Sequence, residues 1–193
     1  MTNTRNDITW YESPAGWIEI TTGPHGISTL VFREPLEEVK LTSDNFSPPL
    51  HEISPPWADI KAYQVEIKPP VGILAECVTQ LRMYFEGKQK TFDLPLSPTG
   101  TPFQRKVWDE LVKIPYGQVI TYRNLAIRVG GPTYTRIVGQ ANSHNPISIL
   151  IPCHRVIGMN GDLIGYAGGL WRKKFLLELE QKDGDTGFTP SLF

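Results

Sequence analysis

Cys153 and His154 stand side by side in the run Ile147-Ser148-Ile149-Leu150-Ile151-Pro152-Cys153-His154-Arg155-Val156-Ile157, where an apolar stretch stops at a proline. A cysteine becomes a nucleophile as its thiolate, and a neighbouring histidine or arginine cation lowers the pKa that controls that conversion. His154 and Arg155 supply both kinds of neighbour. The apolar run before them fits a buried strand or a buried helix segment, and Pro152, which has no N–H for a ladder, ends it. The pair is therefore predicted at the rim of a packed core, on backbone that is held in place. Spacing alone leaves two readings of Cys153 open, a nucleophile or a structural core thiol. Free cysteine is among the most buried residue types, and Cys–His pairs become catalytic through space rather than by adjacency.

The elements that must position this pair come from 193 residues, enough for one large domain or two small ones. Two cysteines, Cys77 and Cys153, are too few for a disulfide scaffold and fit a reducing compartment. In the first half Cys77, His25 and His51 lack the paired spacing of a structural zinc site, so no metal is expected. No apolar stretch approaches the roughly 20 residues that cross a bilayer. Met1 to Asp7 carries no apolar core of a secretory signal, so none is expected there.

Charge divides the chain. Residues 1–97 hold 8 Lys+Arg against 13 Asp+Glu, residues 98–176 hold 10 against 3, and residues 177–193 hold 1 against 4. A block at +7 between two acidic ones attracts a polyanion to the middle of the chain, which favours nucleic acid as a partner over a merely solvated face.

Three short apolar runs open the chain, Ile8 to Glu12, Trp17 to Thr21 and Ile27 to Phe32, separated by turn residues. They are predicted to form an antiparallel meander. Residues 34 to 70 carry Pro48-Pro49, Pro55-Pro56 and Pro69-Pro70 and are expected to be an irregular connection that packs Trp57 against the sheet. Val71 to Phe85 repeats apolar residues at helical spacing, with Cys77 on the apolar face and Gly87 as the stop. Leu94 to Gly100 has linker composition and coincides with the charge switch, which sets a domain boundary between 97 and 98.

The second half is predicted to be mostly helical. Thr101 caps a helix beginning at Pro102, with Phe103, Val107, Leu111 and Ile114 as its buried stripe and Pro115-Tyr116-Gly117 beyond its end. A short helix over Tyr122 to Val129 stops at Gly130-Gly131-Pro132, and another runs from about Thr133 to Ser143. Two short helices joined by a glycine-containing turn in a basic block suit a helix-turn-helix, with Arg136 on the exposed face of the second, although such pairs also occur inside cores. Asn160-Gly161 marks a tight turn, and Gly165-Tyr166-Ala167-Gly168-Gly169 is a loop that lets backbone amides approach a ligand. A last amphipathic helix is expected from Leu170 to Leu179, bearing Trp171, Phe175 and Leu179 and ending at Glu180, before a polar, frayed tail.

From Gly100 to Glu180 the chain resembles the O6-alkylguanine-DNA alkyltransferases, the methylated-DNA–protein-cysteine methyltransferase family. Six motifs in order carry the resemblance: Gly100-Thr101-Pro102-Phe103-Gln104, Ile114-Pro115-Tyr116-Gly117, Arg136-Ile137-Val138-Gly139, Asn145-Pro146, Ile151 through Val156, and Gly165 through Gly169. Residues 1 to 95 match in layout only. The resemblance implies an α+β protein: an N-terminal small antiparallel sheet with a helix, of ribonuclease-H-like topology, then a mostly helical, winged-helix-like domain containing a helix-turn-helix.

It also implies a single-use repair reaction on double-stranded DNA carrying O6-alkylguanine, needing no cofactor and no membrane. Such a protein is expected to be a monomer inside the cell, cytoplasmic in a prokaryote or nuclear in a eukaryote, with cooperativity on DNA left open. By resemblance Cys153 is the nucleophile, His154 takes its proton through a water, and Glu180 orients the imidazole, which follows triad logic. Tyr122 matches the donor to the base and the Ala167 amide the donor to O6, the donors a leaving oxygen requires. The carbonyls of Cys153 and Val156 match acceptors for the guanine amino group, and Asn145 matches the residue that ties the active-site turn to the recognition helix. Arg136 matches the residue that fills the stack vacated by a nucleotide flipped through the minor groove. Beside it, where family members often carry small residues, this chain has Tyr134, Thr135 and Ile137. Tyr134 can intercalate, contact phosphate or face the core. Ser148 stands where some relatives carry proline, which leaves open how large an alkyl group the pocket takes.

Overall fold

The structure, a computed structural model, describes residues 7–33 and 70–181. The proline-rich connection with Trp57 and the tail after 181 lie outside the described residues.

The three apolar runs form β1 (Ile8–Ser13), β2 (Gly16–Gly23) and β3 (Gly26–Phe32), an antiparallel meander in the order β1-β2-β3. Side chains alternate across a strand, so one face of β2 buries Ile18 and Ile20, and β3 adds Ile27 and Leu30. Onto this face packs α1 (Ile73–Phe85), which buries Leu74, Cys77, Leu81 and Tyr84. The helix stops where expected. Gly87 takes φ +72, the left-handed conformation a helix end favours, and its N–H donates to the Tyr84 carbonyl at 3.0 Å.

The far edge of β3 decides how the two halves meet. An edge strand offers a row of unpaired N–H and C=O groups. Here Ile27 N–H donates to Pro95 O at 2.8 Å and Ser97 N–H to Ile27 O at 2.8 Å. Further along, Leu30 N–H donates to Pro146 O at 2.8 Å and Ser148 N–H to Leu30 O at 2.7 Å. The edge is thus closed by the chain leaving the first half and by the segment that leads to Cys153.

The second half is built on α2 (Pro102–Val112), α3 (Tyr122–Val129) and α4 (Thr135–Ser143). Thr101 and Gln104 close a full capping box at the start of α2, with Gln104 N–H on Thr101 Oγ1 at 3.2 Å. Thr121 Oγ1 caps α3 through Asn124 N–H at 3.1 Å. The helix expected from about Thr133 begins two residues later, because Pro132–Tyr134 forms a tighter 3-10 turn first. Trp108 of α2 is buried and donates its indole N–H to Ala141 O of α4 at 3.0 Å. A short parallel pair joins β4 (Ile120–Thr121) to β5 (Val156–Ile157).

Two expectations are corrected. The run Ile147–Ile151 is neither strand nor helix. Only Ile147 bridges to Leu30, and the rest is a tight turn with Ile149 at φ +70, Leu150 N–H on Ser148 O at 2.8 Å and Ile151 N–H on Ile147 O at 3.0 Å. A run of apolar residues signals burial, and burial here is achieved by a compact turn, not a regular element. The last helix, α5 (Leu170–Gln181), also turns a different face inward from the one expected. It buries Lys173, Leu176, Leu177 and Glu180, while Trp171 is exposed and Phe175 and Leu179 are only half-buried. Counting only aromatic and aliphatic residues missed that a lysine and a glutamate complete the inward stripe. Among the described residues, no helix is long and apolar enough to cross a membrane.

Candidate active site

Cys153, His154 and Arg155 make a single 3-10 turn after Pro152, all three buried, with Arg155 N–H on Pro152 O at 3.0 Å. Asn145 holds the preceding turn shut. Its side-chain amide donates to Ile151 O at 2.7 Å and its oxygen accepts from Ile147 N–H at 3.0 Å. Those bonds lie within the turn itself. The reach from α4 comes from Asn142, a residue the sequence did not single out, whose amide donates to Cys153 O and to Tyr122 Oη, each at 3.4 Å.

Burial pushes the Cys153 thiol above its usual pKa, opposed by the facing Asn145 amide and the Lys173 charge. At rest the sulfur holds its proton. Burial likewise pushes His154 below its usual value against the pull of Glu180, so the imidazole is a neutral base. One ring nitrogen, Nε2, lies 2.8 Å from Glu180 Oε1. The other, Nδ1, is buried without a hydrogen-bond partner among the described residues.

Glu180, two turns along α5 from Lys173, is fully excluded from solvent. Its carboxylate accepts from Arg155 Nε and Nη2, both at 2.9 Å, from Gly117 N–H at 3.0 Å and from Tyr84 Oη at 2.7 Å, besides its contact with His154. Burial would raise its pKa, but His154 and Arg155 hold the group well below the usual carboxylate range. Arg155 completes its own bonding on Ile114 O at 2.6 Å. Its cation therefore neutralises Glu180 and does not lie free beside the thiol.

Lys173 is the second residue the sequence passed over. It is buried, and its Nζ donates to Val156 O at 2.7 Å and Ile164 O at 2.6 Å, 5.7 Å from the Tyr122 ring centre. Burial pushes its pKa down to about 8, partly restored by Cys153. The signal available was spacing: seven residues before Glu180 is the same helix face. Tyr122 is buried, its phenol pushed up to about 12 mainly by burial, and its hydroxyl lies 3.1 Å from Ile164 O and 3.2 Å from Gly165 O. Gly165 takes φ +58, which brings this backbone against the tyrosine. The groups expected to meet a base are thus already engaged elsewhere, Tyr122 with Ile164 and Gly165, the Cys153 carbonyl with Asn142 and the Val156 carbonyl with Lys173, whereas the Ala167 amide lies on an exposed turn closed by Gly169 N–H on Tyr166 O at 3.0 Å. Arg172 braces that turn, donating to Gly168 O at 2.9 Å and to Ala15 O of the β1–β2 turn at 2.8 Å.

Arg136 is exposed on α4, as are Tyr134 and Ile137 beside it. Of the three placements open to Tyr134, the core is ruled out: the side chain is 41% exposed, edge-on to Phe103 at 6.2 Å. Thr135 is half-buried and spends its hydroxyl on Pro132 O at 2.7 Å. Arg123 and Arg128 are exposed on α3, whereas Arg155 and Lys173 turn part of the basic block's charge inward.

Comparisons with known proteins bear on what this arrangement serves. Residues 8–98 match the family model described as 6-O-methylguanine DNA methyltransferase, ribonuclease-like domain. Residues 102–182 match the model described as 6-O-methylguanine DNA methyltransferase, DNA binding domain. The methylated-DNA–protein-cysteine methyltransferase of Methanosarcina barkeri is 40% identical over 172 residues, covering 89% of this chain and 95% of that protein. The crystal structure of Mycobacterium tuberculosis O6-methylguanine methyltransferase superposes with a TM-score of 0.70 at 34% identity, over 94% of this chain and 96% of that one. Mycobacterium tuberculosis OGT in complex with DNA superposes with a TM-score of 0.69 at 36% identity, over 91% and 93%.

Proposed function

This chain belongs to the 6-O-methylguanine DNA methyltransferase family, and from that premise we propose that it repairs double-stranded DNA by moving an alkyl group from guanine O6 onto Cys153. The observation that carries the assignment of roles is the His154 imidazole. One nitrogen is clamped on Glu180 and the other is buried with no hydrogen-bond partner among the described residues, on the residue that follows a buried, protonated thiol. A thiol kept neutral by burial needs a base at the moment of attack, and a neutral imidazole fixed by a carboxylate is one.

In this mechanism the thiol proton passes to His154 through a water, and the sulfur attacks the alkyl carbon in line with O6. The C–S bond forms as the C–O bond breaks, and the bonding pair stays on guanine, which leaves neutral once it gains a proton. Tyr122 and the Ala167 amide support the charge that develops on the base, the interaction electrostatic catalysis depends on. For Tyr122 this means exchanging a loop carbonyl for the base. Lys173, charged at neutral pH and facing the sulfur, favours the thiolate. Asn145 and Asn142 fix the turn that aims the sulfur. The thioether is not reversed, so each molecule acts once.

A base inside a duplex must be extruded at a cost of a few kcal/mol. Here α3, the glycine turn and α4 act as a helix-turn-helix, approaching the minor groove with Arg136 entering the vacated stack and Thr135 and Tyr134 flanking it. The exposure of Arg136, Arg123 and Arg128 supports this docking. So does the complex of Mycobacterium tuberculosis OGT with DNA. The division into 1–97 and 98–193 belongs to the same reading, supported by family matches that end at 98 and resume at 102. The protein is placed inside the cell, where its DNA substrate is.

The test is intact-mass measurement after incubation with a duplex carrying O6-methylguanine. One added methyl group, located on Cys153 and missing in Cys153→Ala, is expected. A stoichiometric incubation that leaves the mass unchanged overturns the proposal.

A further inference from the structure

We propose that Tyr84, on α1 of the first half, is a positioning residue for alkyl transfer: its hydroxyl holds the Glu180 carboxylate and sets how strongly His154 binds a proton. The inference rests on the assignment of His154 and Glu180 above.

Tyr84 and Glu180 are 96 positions apart in sequence, both fully buried, and joined by a hydrogen bond of 2.7 Å. The oxygen involved, Oε1, is the one that faces His154 Nε2 at 2.8 Å and Arg155 Nη2 at 2.9 Å. Oε2 takes Arg155 Nε at 2.9 Å and Gly117 N–H at 3.0 Å. A carboxylate has about four lone-pair sites, so five contacts share them and Tyr84 draws on the electron density that His154 uses. Burial, followed by the nearby carboxylate, raises the Tyr84 phenol well above its usual pKa, so it remains a donor.

The ring is fixed independently of its hydroxyl. It packs edge-on to Phe85 at 5.3 Å and Tyr116 at 6.0 Å, and tilted on Phe92 at 5.4 Å. Other ionisable groups bear on the same pocket: Arg155 and Lys173 both lower His154, and Tyr166 senses both Cys153 and Glu180. None of these comes from the first half of the chain. Tyr84 carries a side-chain hydrogen bond from the sheet-and-helix unit directly to Glu180.

The experiment compares the pH dependence of the rate of methyl transfer from an O6-methylguanine duplex in wild type, Tyr84→Phe and Glu180→Gln. Tyr84→Phe keeps the ring packing and removes one donor from Oε1, which leaves the carboxylate freer to stabilise imidazolium. The acid limb of the rate is expected to move up by about half a pH unit, with the His154 ring resonance titrating upward in step. Replacing Tyr84 by 3-fluorotyrosine, a stronger donor of nearly the same shape, is expected to move the limb the other way, which keeps the idea testable should Tyr84→Phe fold poorly. An unmoved limb in a folded variant overturns the inference, as does a uniform loss of rate at every pH with a lowered melting temperature. If Glu180→Gln transfers as fast as wild type, the underlying assignment fails; if Glu180→Gln is slow and Tyr84→Phe is indistinguishable from wild type, the inference alone fails.

Discussion

Arg155 grips Glu180 through both carboxylate oxygens, Nε on Oε2 and Nη2 on Oε1, each at 2.9 Å, in a pocket that excludes solvent from the carboxylate altogether. Removing one partner of a buried pair strands the other charge, at a cost of about 3–5 kcal/mol. Arg155→Ala is expected to lose stability on that scale in urea unfolding. A loss below about 1 kcal/mol, the range of a surface pair, would show that water reaches Glu180.

The same pair sets a pH dependence. The Glu180 pKa is lower in the folded protein than its ordinary value of 4.5. A depressed carboxylate contributes stability that is complete above the unfolded value and drains away as pH falls below it. Thermal stability is therefore expected to fall as pH drops from about 5, and Glu180→Gln to flatten that slope. An unchanged slope in the variant would assign acid sensitivity to other groups.

Lys173 has a dependence of the same sign in a higher pH window. Its folded pKa of about 8 lies below the ordinary 10.5. Between those values the unfolded chain keeps a proton the folded chain has lost, so stability rises with pH across that window. Lys173→Met is expected to abolish the rise. It is also expected to slow methyl transfer at neutral pH by about ten-fold, a change of about 1.4 kcal/mol for losing a cation beside the thiolate. Wild-type transfer rates in Lys173→Met would remove the lysine from the mechanism.

Arg136→Ala is expected to weaken duplex binding and slow repair in duplex DNA, while attack on a free alkylguanine base is largely kept. Gel-shift and mass measurements on the two substrates separate the cases, and equal loss on both would mean that Arg136 does not act in extrusion.

Much of this was legible in the residues. Short apolar runs separated by turn residues placed the meander, Thr101 announced its helix, and Gly87 and Gly130 ended theirs, because caps and turns are written in local chemistry. Cys153-His154 was visible as a pair and Glu180 as its partner only through family spacing. Burial of 147–151 was legible as well, but not that it would be a turn, since a run of apolar residues records dryness rather than backbone shape.

What the tertiary structure alone decided is the company the charges keep. Tyr84 reaches Glu180 from the other half of the chain, and Asn142 reaches Cys153 from α4. Arg155, an apparent neighbour for the thiol, is held on the carboxylate, and Lys173, which the sequence did not single out, is the buried cation whose charge acts on the thiol instead. The sequence by itself determined most of the elements that form and, through its family motifs, pointed to Cys153 rather than Cys77 as the candidate nucleophile. Whether that thiol is protonated, and what takes its proton, depends on burial and on distances between groups far apart in the chain. Both effects act through space, and no local pattern encodes them.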